Sequence, residues 1–200
     1  MVYSEHDLRF KALNSELTVA AAREVLDFWF RETKPEQWFE ANADFDAAVK
    51  SRFEDTWRAA RDGRLPEWDA SKEGALALVI VLDQFPRNMF RGLADAFATD
   101  ALANRIAKSA IGRGFDLELP LSVRNFFYLP LMHAEDLADQ DRCVALTRER
   151  LGESHFSYPF ALRHRDAIAR FGRFPARNAA LKRANTPEES AFLAANPAGF

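Results

Sequence analysis

The chain has 200 residues, 48% of them hydrophobic and 28% charged, with 27 basic and 30 acidic side chains. Charge is nearly balanced and shows no long run of one sign, which argues against a nucleic-acid partner. The single Cys143 excludes an intramolecular disulfide and a cysteine-built zinc site. No stretch approaches the roughly 20 apolar residues of a membrane-spanning helix, and the start lacks a secretion signal. We therefore expect no membrane partner and a cytoplasmic location.

Aromatic residues are abundant, with 18 Phe, 4 Trp and 3 Tyr. Each buried ring removes about 150–250 Å² from water, so a chain of this length can fill a hydrophobic core without disulfides. We expect one domain over residues 1–200. Its first residues, 1–16, are polar and aperiodic and should form a loose N-terminal arm.

Helical spacing of apolar residues dominates the first half of the chain. Thr18 has the character of an N-cap for a helix over Val19–Phe30. A second helix begins near Asn42 or Asp44, with an apolar stripe that steps by four residues and ends near Gly63. The members of the stripe are Phe45, Val49, Phe53 and Trp57.

Ser71 is expected to open a third helix, whose segment Ala75–Leu82 is apolar almost all round. A helix of that kind belongs at the centre of a bundle. Pro86 is expected to end it, because proline lacks the backbone donor that the helix needs. A loop over Arg87–Ala98 would follow.

The second half of the chain predicts further helices separated by proline and glycine. Pro130 should kink or stop the fifth of them, and Thr186 should cap a short last one. The predicted segments are Ala101–Ile111 capped by Asp100, a helix from Pro120 and Ser122, Ala138–Leu151, Pro159–Phe171 and a helix after Thr186. No hairpin signal interrupts them. The prediction is an all-α fold built from antiparallel helix pairs.

Several long strings in this order resemble the DUF924 family, bacterial proteins of unknown function. The strings are Val25–Phe30, Leu82–Gly92, Phe97–Asp100, Tyr128–Pro130, His133–Gln140, Arg170–Pro175 and Arg177–Asn178. The resemblance extends from about Thr18 to Phe192. It implies a tetratricopeptide-like superhelix or bundle, and it implies no established activity, substrate or cofactor.

Two short segments, Phe85–Asn88 and Phe174–Asn178, each place a Phe-Pro pair close to an arginine and an asparagine. After a helix-stopping proline, the arginine and asparagine side chains could bond the terminal carbonyls of the helix. They could instead hold an anion, because a guanidinium binds carboxylate or phosphate through two parallel bonds. The candidate ligand-binding residues are Asp83, Arg87 and Asn88 in the first string and Arg173, Arg177 and Asn178 in the second.

His133 and Asp136 are three residues apart and would share a face of a helix. They are the candidate catalytic pair, acting as an acid and base. The alternative is an acid-rich, solvated helix start. Glu135 and His164 would be acceptable further metal ligands, but the short metal signatures are absent and we assign no metal. His164 belongs either to a surface helix or to a position facing His133.

Arg124 and Tyr128 lie one turn apart on the fifth helix. Arg124 could cover aromatic rings, or it could supply a third guanidinium to the same pocket. Both residues are candidate ligand-binding residues on the second interpretation.

Two functions remain open at this point. The first is a polar pocket for a small anionic ligand, with acid–base chemistry, in which His133 and Asp136 share one cavity with Arg87 and Asn88. The second is a tetratricopeptide-like scaffold that binds a peptide or a partner protein without catalysis.

Overall fold

The computed structural model describes residues 20–196, and every regular element in that range is helical. Helix α1 occupies 20–27 and continues as a π-turn, Phe28–Glu32. The later α-helices are α2 (Ala43–Arg61), α3 (Lys72–Val79), α4 (Phe85–Met89), α5 (Asp100–Gly112), α6 (Leu121–Arg124), α7 (Leu129–Met132), α8 (Leu137–Arg150), α9 (Ser157–Phe171) and α10 (Pro187–Ala195). The all-α prediction is confirmed over these residues. The expected arm at 1–16 and the expected cap at Thr18 lie outside them.

The predicted apolar faces pack against one another around a core rich in aromatic rings. Helix α8 packs on α9, α2 on α4, and α3 on α5. The ring of Phe85 lies 4.7 Å from that of Phe53 and 5.6 Å from that of Trp29, between centroids. All four members of the predicted α2 stripe are buried. The antiparallel pairing in a tetratricopeptide-like superhelix stays a prediction.

Helix α3 and its continuation form the centre of the molecule, as predicted. Ser71 caps α3 by accepting a bond from the backbone N–H of Gly74. Every residue from Gly74 to Pro86 is buried. A Cβ atom at Gly74 would lie 2.1 Å from the carbonyl oxygen of Trp68, so only glycine allows the 3-10 turn Pro66–Ala70 to approach α3 this closely.

The prediction that Pro86 ends this helix is wrong. A π-turn, Ile80–Gln84, follows α3 and leads directly into α4, so the chain stays helical to Met89. In a regular helix residue 86 would donate to the carbonyl of Leu82, and proline has no N–H to do so. The hydroxyl of Thr99 bonds that carbonyl at 2.6 Å instead. A donor from another part of the chain thus lets the helix continue past the proline.

Other boundaries differ from prediction in smaller ways. Asp100 is the first residue of α5 and does not cap it by a side-chain bond. The fifth predicted helix is divided into α6, the 3-10 turn Asn125–Phe127 and α7, with Pro130 in the first turn of α7. The predicted cap at Thr186 is confirmed, and it forms a capping box with Glu189. None of the helices within residues 20–196 combines the length and apolar character needed to cross a bilayer.

Candidate functional site

A buried carboxylate and an imidazole form the centre of the candidate site. His133 follows the last turn of α7, and its Nδ1 lies 2.8 and 3.0 Å from the two carboxylate oxygens of Asp83. The side chain of Asp83 is fully buried, in the π-turn between α3 and α4. Because a carboxylate only accepts, Nδ1 carries the proton and donates it in these contacts. We refer to Asp83 and His133 as the dyad.

Two guanidinium groups balance the buried negative charge around the dyad. Arg87, one turn after Asp83, lies 3.4 Å from its carboxylate and binds both oxygens of Asp100 at 2.9 and 3.0 Å. Arg177 binds Asp100 at 3.1 Å and the carbonyl of His133 at 2.8 Å. Its guanidinium stacks between the rings of Phe97 and Phe174. The result is a cluster of two carboxylates and two guanidiniums beside one imidazole.

The surroundings fix the charge state of the dyad. Burial on its own raises the pKa of Asp83, but the charge of Arg87 and the bond from His133 outweigh it and hold the pKa below its usual range. Burial and then the charge of Arg87 lower the pKa of His133, against the opposing effect of Asp83. At neutral pH the dyad is therefore an ionised carboxylate bonded to a neutral imidazole.

The imidazole of His133 forms part of the wall of an apolar cavity of about 200 Å³. Three phenylalanines from separate parts of the chain supply much of the wall: Phe39 follows the turn Pro35–Trp38, and Phe156 and Phe160 belong to the start of α9. Phe39 and Phe156 are each more than half exposed. Leu129 and Met132 of α7 complete the apolar part of the wall.

Three further polar side chains line this cavity. The ring of His164 lies 6.1 Å from that of His133, so the two imidazoles do face each other across the cavity. Burial and then the charge of His133 lower the pKa of His164 to about 3. The other two, Asn125 and Ser157, are almost fully buried. The cavity therefore combines an aromatic wall with neutral hydrogen-bonding groups.

A second, charged recess of about 490 Å³ also includes His133 in its wall. Asp100 and Arg177 line it, together with Glu135 and Asp136. His133 thus belongs to the walls of both an apolar cavity and a charged recess.

The structure does not pair His133 with Asp136. Asp136 is exposed and caps α8, accepting a bond from the backbone N–H of Asp139 at 2.9 Å. His133 follows the end of α7 and Asp136 precedes the start of α8, so the two residues do not lie on one face of a single helix. The carboxylate partner of His133 is Asp83, 50 residues earlier in the chain.

Asn88 is also separate from the dyad, although Arg87 is part of its surroundings. The amide of Asn88 donates to Asp46 on α2 at 2.9 Å, and Arg91 binds the same carboxylate. Neighbouring positions on α4 therefore face in different directions, Arg87 toward Asp100 and Asn88 toward α2. His133 and Asp136 both line the charged recess, as expected, but neither Arg87 nor Asn88 is in its wall. Arg87 belongs to the charge cluster around the dyad.

Arg124 and Tyr128 belong to a different cluster. Tyr128 donates to Asp116 at 2.6 Å, and Arg124 donates to the backbone carbonyls of Asp116, Leu119 and Arg150. These bonds fasten the segment between α5 and α6. Arg124 supplies no guanidinium to the dyad, because its donors are engaged by this loop.

Arg173 and Asn178 likewise have structural partners elsewhere. Arg173 binds both carboxylate oxygens of Glu189. Glu189 also forms the capping box of α10 with Thr186. Asn178 bonds Arg183 and Asn185. Of the second Phe-Pro string, only Arg177 reaches the dyad. Arg87, Arg173 and Arg177 all bind carboxylates of the chain itself, so an added anion would have to compete with those partners.

No group of three or more metal-ligating side chains comes together within residues 20–196. Glu135, considered above as a metal ligand, binds Arg183 and the backbone N–H of Phe174 instead. Sequence reasoning missed Asp100, Phe39, Asn125 and Ser157 as parts of the site. Only Asp100 carried a signal, as the acidic last residue of the Phe97–Asp100 string.

The site geometry defines an all-helical protein with a buried dyad whose histidine lines an apolar cavity and a charged recess, and comparison with known proteins gives its family. The model of the family described as bacterial protein of unknown function (DUF924) matches residues 25–197. The chain belongs to this family, which confirms the resemblance. No curated protein in the comparison matches the chain.

A solved structure shows the same fold. The protein of unknown function ATU0120 from Agrobacterium tumefaciens is 44% identical to this chain, with a TM-score of 0.83. The match covers 88% of this chain and 98% of that one.

Proposed function

We propose that the chain binds a small, mainly apolar molecule through one weakly acidic group, and that His133 exchanges a proton with that group. The dyad carries this proposal: Asp83, fully buried, binds Nδ1 of His133 through both oxygens beside an apolar cavity. A carboxylate on Nδ1 fixes the tautomer and leaves Nε2 as a proton acceptor.

Nε2 of His133 is free to accept a proton from a ligand. Among residues 20–196 no group bonds Nε2 of His133, which lies on the edge of the ring away from Asp83. Because the pKa of His133 is lowered, the ring is neutral at neutral pH and can accept a proton. When it does so, the carboxylate of Asp83 stabilises the imidazolium that forms.

This mechanism explains how the site would hold an anion without a free arginine. Arg87 and Arg177 are engaged with Asp83 and Asp100, so the cation that pairs with the ligand is the imidazolium itself. The ligand binds as an anion only when one proton enters with it. An apolar cavity of about 150 Å³ accommodates benzene, so a cavity of about 200 Å³ has room for one substituted ring.

Benzoate and phenol, measured by isothermal titration calorimetry between pH 7 and 8.5, test the proposal. Benzoate must take up a proton on binding, so its Kd should rise about tenfold per pH unit. Phenol is uncharged over this range and donates a hydrogen bond without proton uptake, so its Kd should stay constant.

The variant His133→Phe should remove the pH dependence of benzoate binding. Asp136→Ala is the matched control, because Asp136 is the other candidate acid in the same string and lies outside the dyad. Benzoate binding that is independent of pH in the wild type, or absent altogether, would contradict the proposal.

A scaffold for a peptide or partner protein is the second candidate. The observation that favours it is the exposure of Phe39, Phe156 and Phe160 at the mouth of the cavity, since exposed aromatic groups often mark interaction sites. A blocked peptide containing phenylalanine that binds equally to wild type and His133→Phe, at all pH values, would support this alternative over the acid-binding pocket.

A further inference from the structure

We infer that residues 197–200 of the chain itself dock at the mouth of the apolar cavity and place the ring of Phe200 there. These residues follow directly on Asn196, the last residue that the structure describes. A docked segment would compete with a ligand for the site. That consequence rests on the proposed function, whereas the docking itself does not.

Helix α10 directs the chain toward the cavity, because it runs along α9 in the opposite direction. Near the start of α10, Glu188 accepts a bond of 2.8 Å from Arg170, close to the end of α9. After the last turn of α10, Asn196 shares the wall of a recess with Arg163, two turns before Arg170. The chain therefore moves toward the start of α9 as it passes along α10.

Arg163 connects this recess with the apolar cavity. Its guanidinium lies 4.4 Å from the centroid of the Phe160 ring, and Phe160 and His164 belong to the wall of the cavity. Along α9 the distance from Arg163 back to Phe156 is about 10 Å, at the helical rise per residue. Four residues of extended chain span up to about 14 Å. Residues 197–200 are therefore long enough to reach the mouth of the cavity from Asn196.

The sequence of the segment fits an apolar surface. It reads Pro-Ala-Gly-Phe and carries no charged side chain. Proline at 197 disfavours helical backbone at the residue before it, and Asn196 has a φ of −130° and a ψ of 67°. Phe39 and Phe156 at the mouth of the cavity are each more than half exposed. The ring of Phe200, packed on them, would remove apolar surface from water.

The covalent link favours this segment over a separate peptide or a second copy of the chain. A short flexible linker holds a binding group near its site at an effective concentration of the order of mM. A molecule free in solution has to reach a similar concentration, or make better contacts, to displace it. A single ring on a four-residue tether can therefore fill the mouth of the cavity with modest contacts.

Disulfide trapping in the full chain tests the docking without a ligand. Phe200→Cys is combined with Phe160→Cys, or with Leu162→Cys as the matched control. Leu162 is an exposed apolar residue of the same helix and is not in the wall of the cavity. Because a disulfide requires Cα atoms about 4.4–6.8 Å apart, a docked segment should be trapped at position 160 about tenfold faster than at position 162. Cys143 is fully buried and should not react.

Mass spectrometry after mild oxidation identifies the products of both pairs. Equal rates of trapping at positions 160 and 162 would show that the segment does not dock and would overturn the proposal. Disulfides that join two chains instead of closing within one would overturn it as well, since they identify a second copy as the occupant.

Calorimetry with benzoate at pH 7 tests the consequence for the site. If the segment fills the mouth for about nine-tenths of the time, Phe200→Ala should lower the Kd of benzoate about tenfold. Leu117→Ala removes an exposed apolar side chain outside the wall of the cavity and should keep the Kd of the wild type. An unchanged Kd in Phe200→Ala would contradict the competition. If neither protein binds benzoate, the proposed function fails, while disulfide trapping still decides whether the segment docks.

Discussion

The hydroxyl of Thr99 donates to the carbonyl of Leu82, one turn before the proline that cannot bond it. The same hydroxyl accepts from Nε1 of Trp57 at 3.2 Å. This contact joins the start of α5 to the π-turn that carries Asp83, so it supports the position of the dyad.

Thr99→Val should lower the free energy of unfolding by about 1–3 kcal/mol, because both buried partners lose a hydrogen bond at nearly constant side-chain volume. Urea unfolding measures the change. Thr99→Ser keeps the hydroxyl and should recover most of the loss. Equal stability of Thr99→Val and wild type would show that the contact contributes nothing.

Arg87→Ala should be much more damaging than Arg91→Ala, although both residues lie on or next to α4 and bind a carboxylate. Arg87 is largely buried, and without it the negative charges of Asp83 and Asp100 lack one of their cationic partners. The free energy of unfolding should fall by about 3–5 kcal/mol. Arg91 is more exposed, and its pair with Asp46 should contribute about 1 kcal/mol or less. Chemical denaturation of the two variants side by side checks the contrast, and similar losses would argue against a buried charge cluster.

Asp136→Ala should destabilise the protein by about 0.5–2 kcal/mol through loss of the cap on α8. It should leave the affinity for benzoate and its pH dependence unaltered, because the dyad uses Asp83. A thermal melt and one calorimetric titration are sufficient. Loss of benzoate binding without loss of stability would instead restore Asp136 as a partner of His133.

Acid should weaken the fold through His164. Its pKa is about 3 in the folded protein and near 6.5 when unfolded, so the unfolded state binds more protons between these values. The stability is therefore complete above about pH 6.5 and falls as the pH decreases toward 3, by at most about 1.4 kcal/mol per pH unit.

His164→Phe should show a shallower decline in the free energy of unfolding between pH 6.5 and 4.5 than the wild type. Urea melts at several pH values supply the comparison, and the difference between the two proteins isolates His164 from titrating carboxylates. Parallel curves would mean that His164 is not held neutral by burial.

Local patterns were sufficient for most of the fold. The stripe from Phe45 to Trp57 and the caps at Ser71 and Thr186 act within one or two turns of chain, so the sequence alone predicts them. The helix end at Pro86 was predicted wrongly because Thr99, 17 positions after Leu82, supplies the donor that the carbonyl of Leu82 lacks. Such compensation depends on the tertiary structure and leaves no mark in the spacing.

The site was less accessible to sequence reasoning. His133, Asp83 and Arg87 were singled out from residue type, but the partner of His133 was assigned by its spacing to Asp136. The preference for a neighbour at helical spacing fails where a helix ends between the two residues. The aromatic wall was not foreseen, since Phe39 and Phe156 come from segments far apart in sequence and stand in no motif.

The bond between Arg177 and Asp100 joins residues 77 positions apart, a longer separation than the 50 between the members of the dyad. Contacts that close longer loops carry a greater entropic cost, so they tend to form later in folding. During synthesis the dyad residues leave the ribosome well before Arg177 does. A nascent chain would therefore assemble the proton-accepting centre first and neutralise Asp100 completely only when its last fifth is made. A chain cut short before Arg177 would lack one of the two cations that neutralise Asp100.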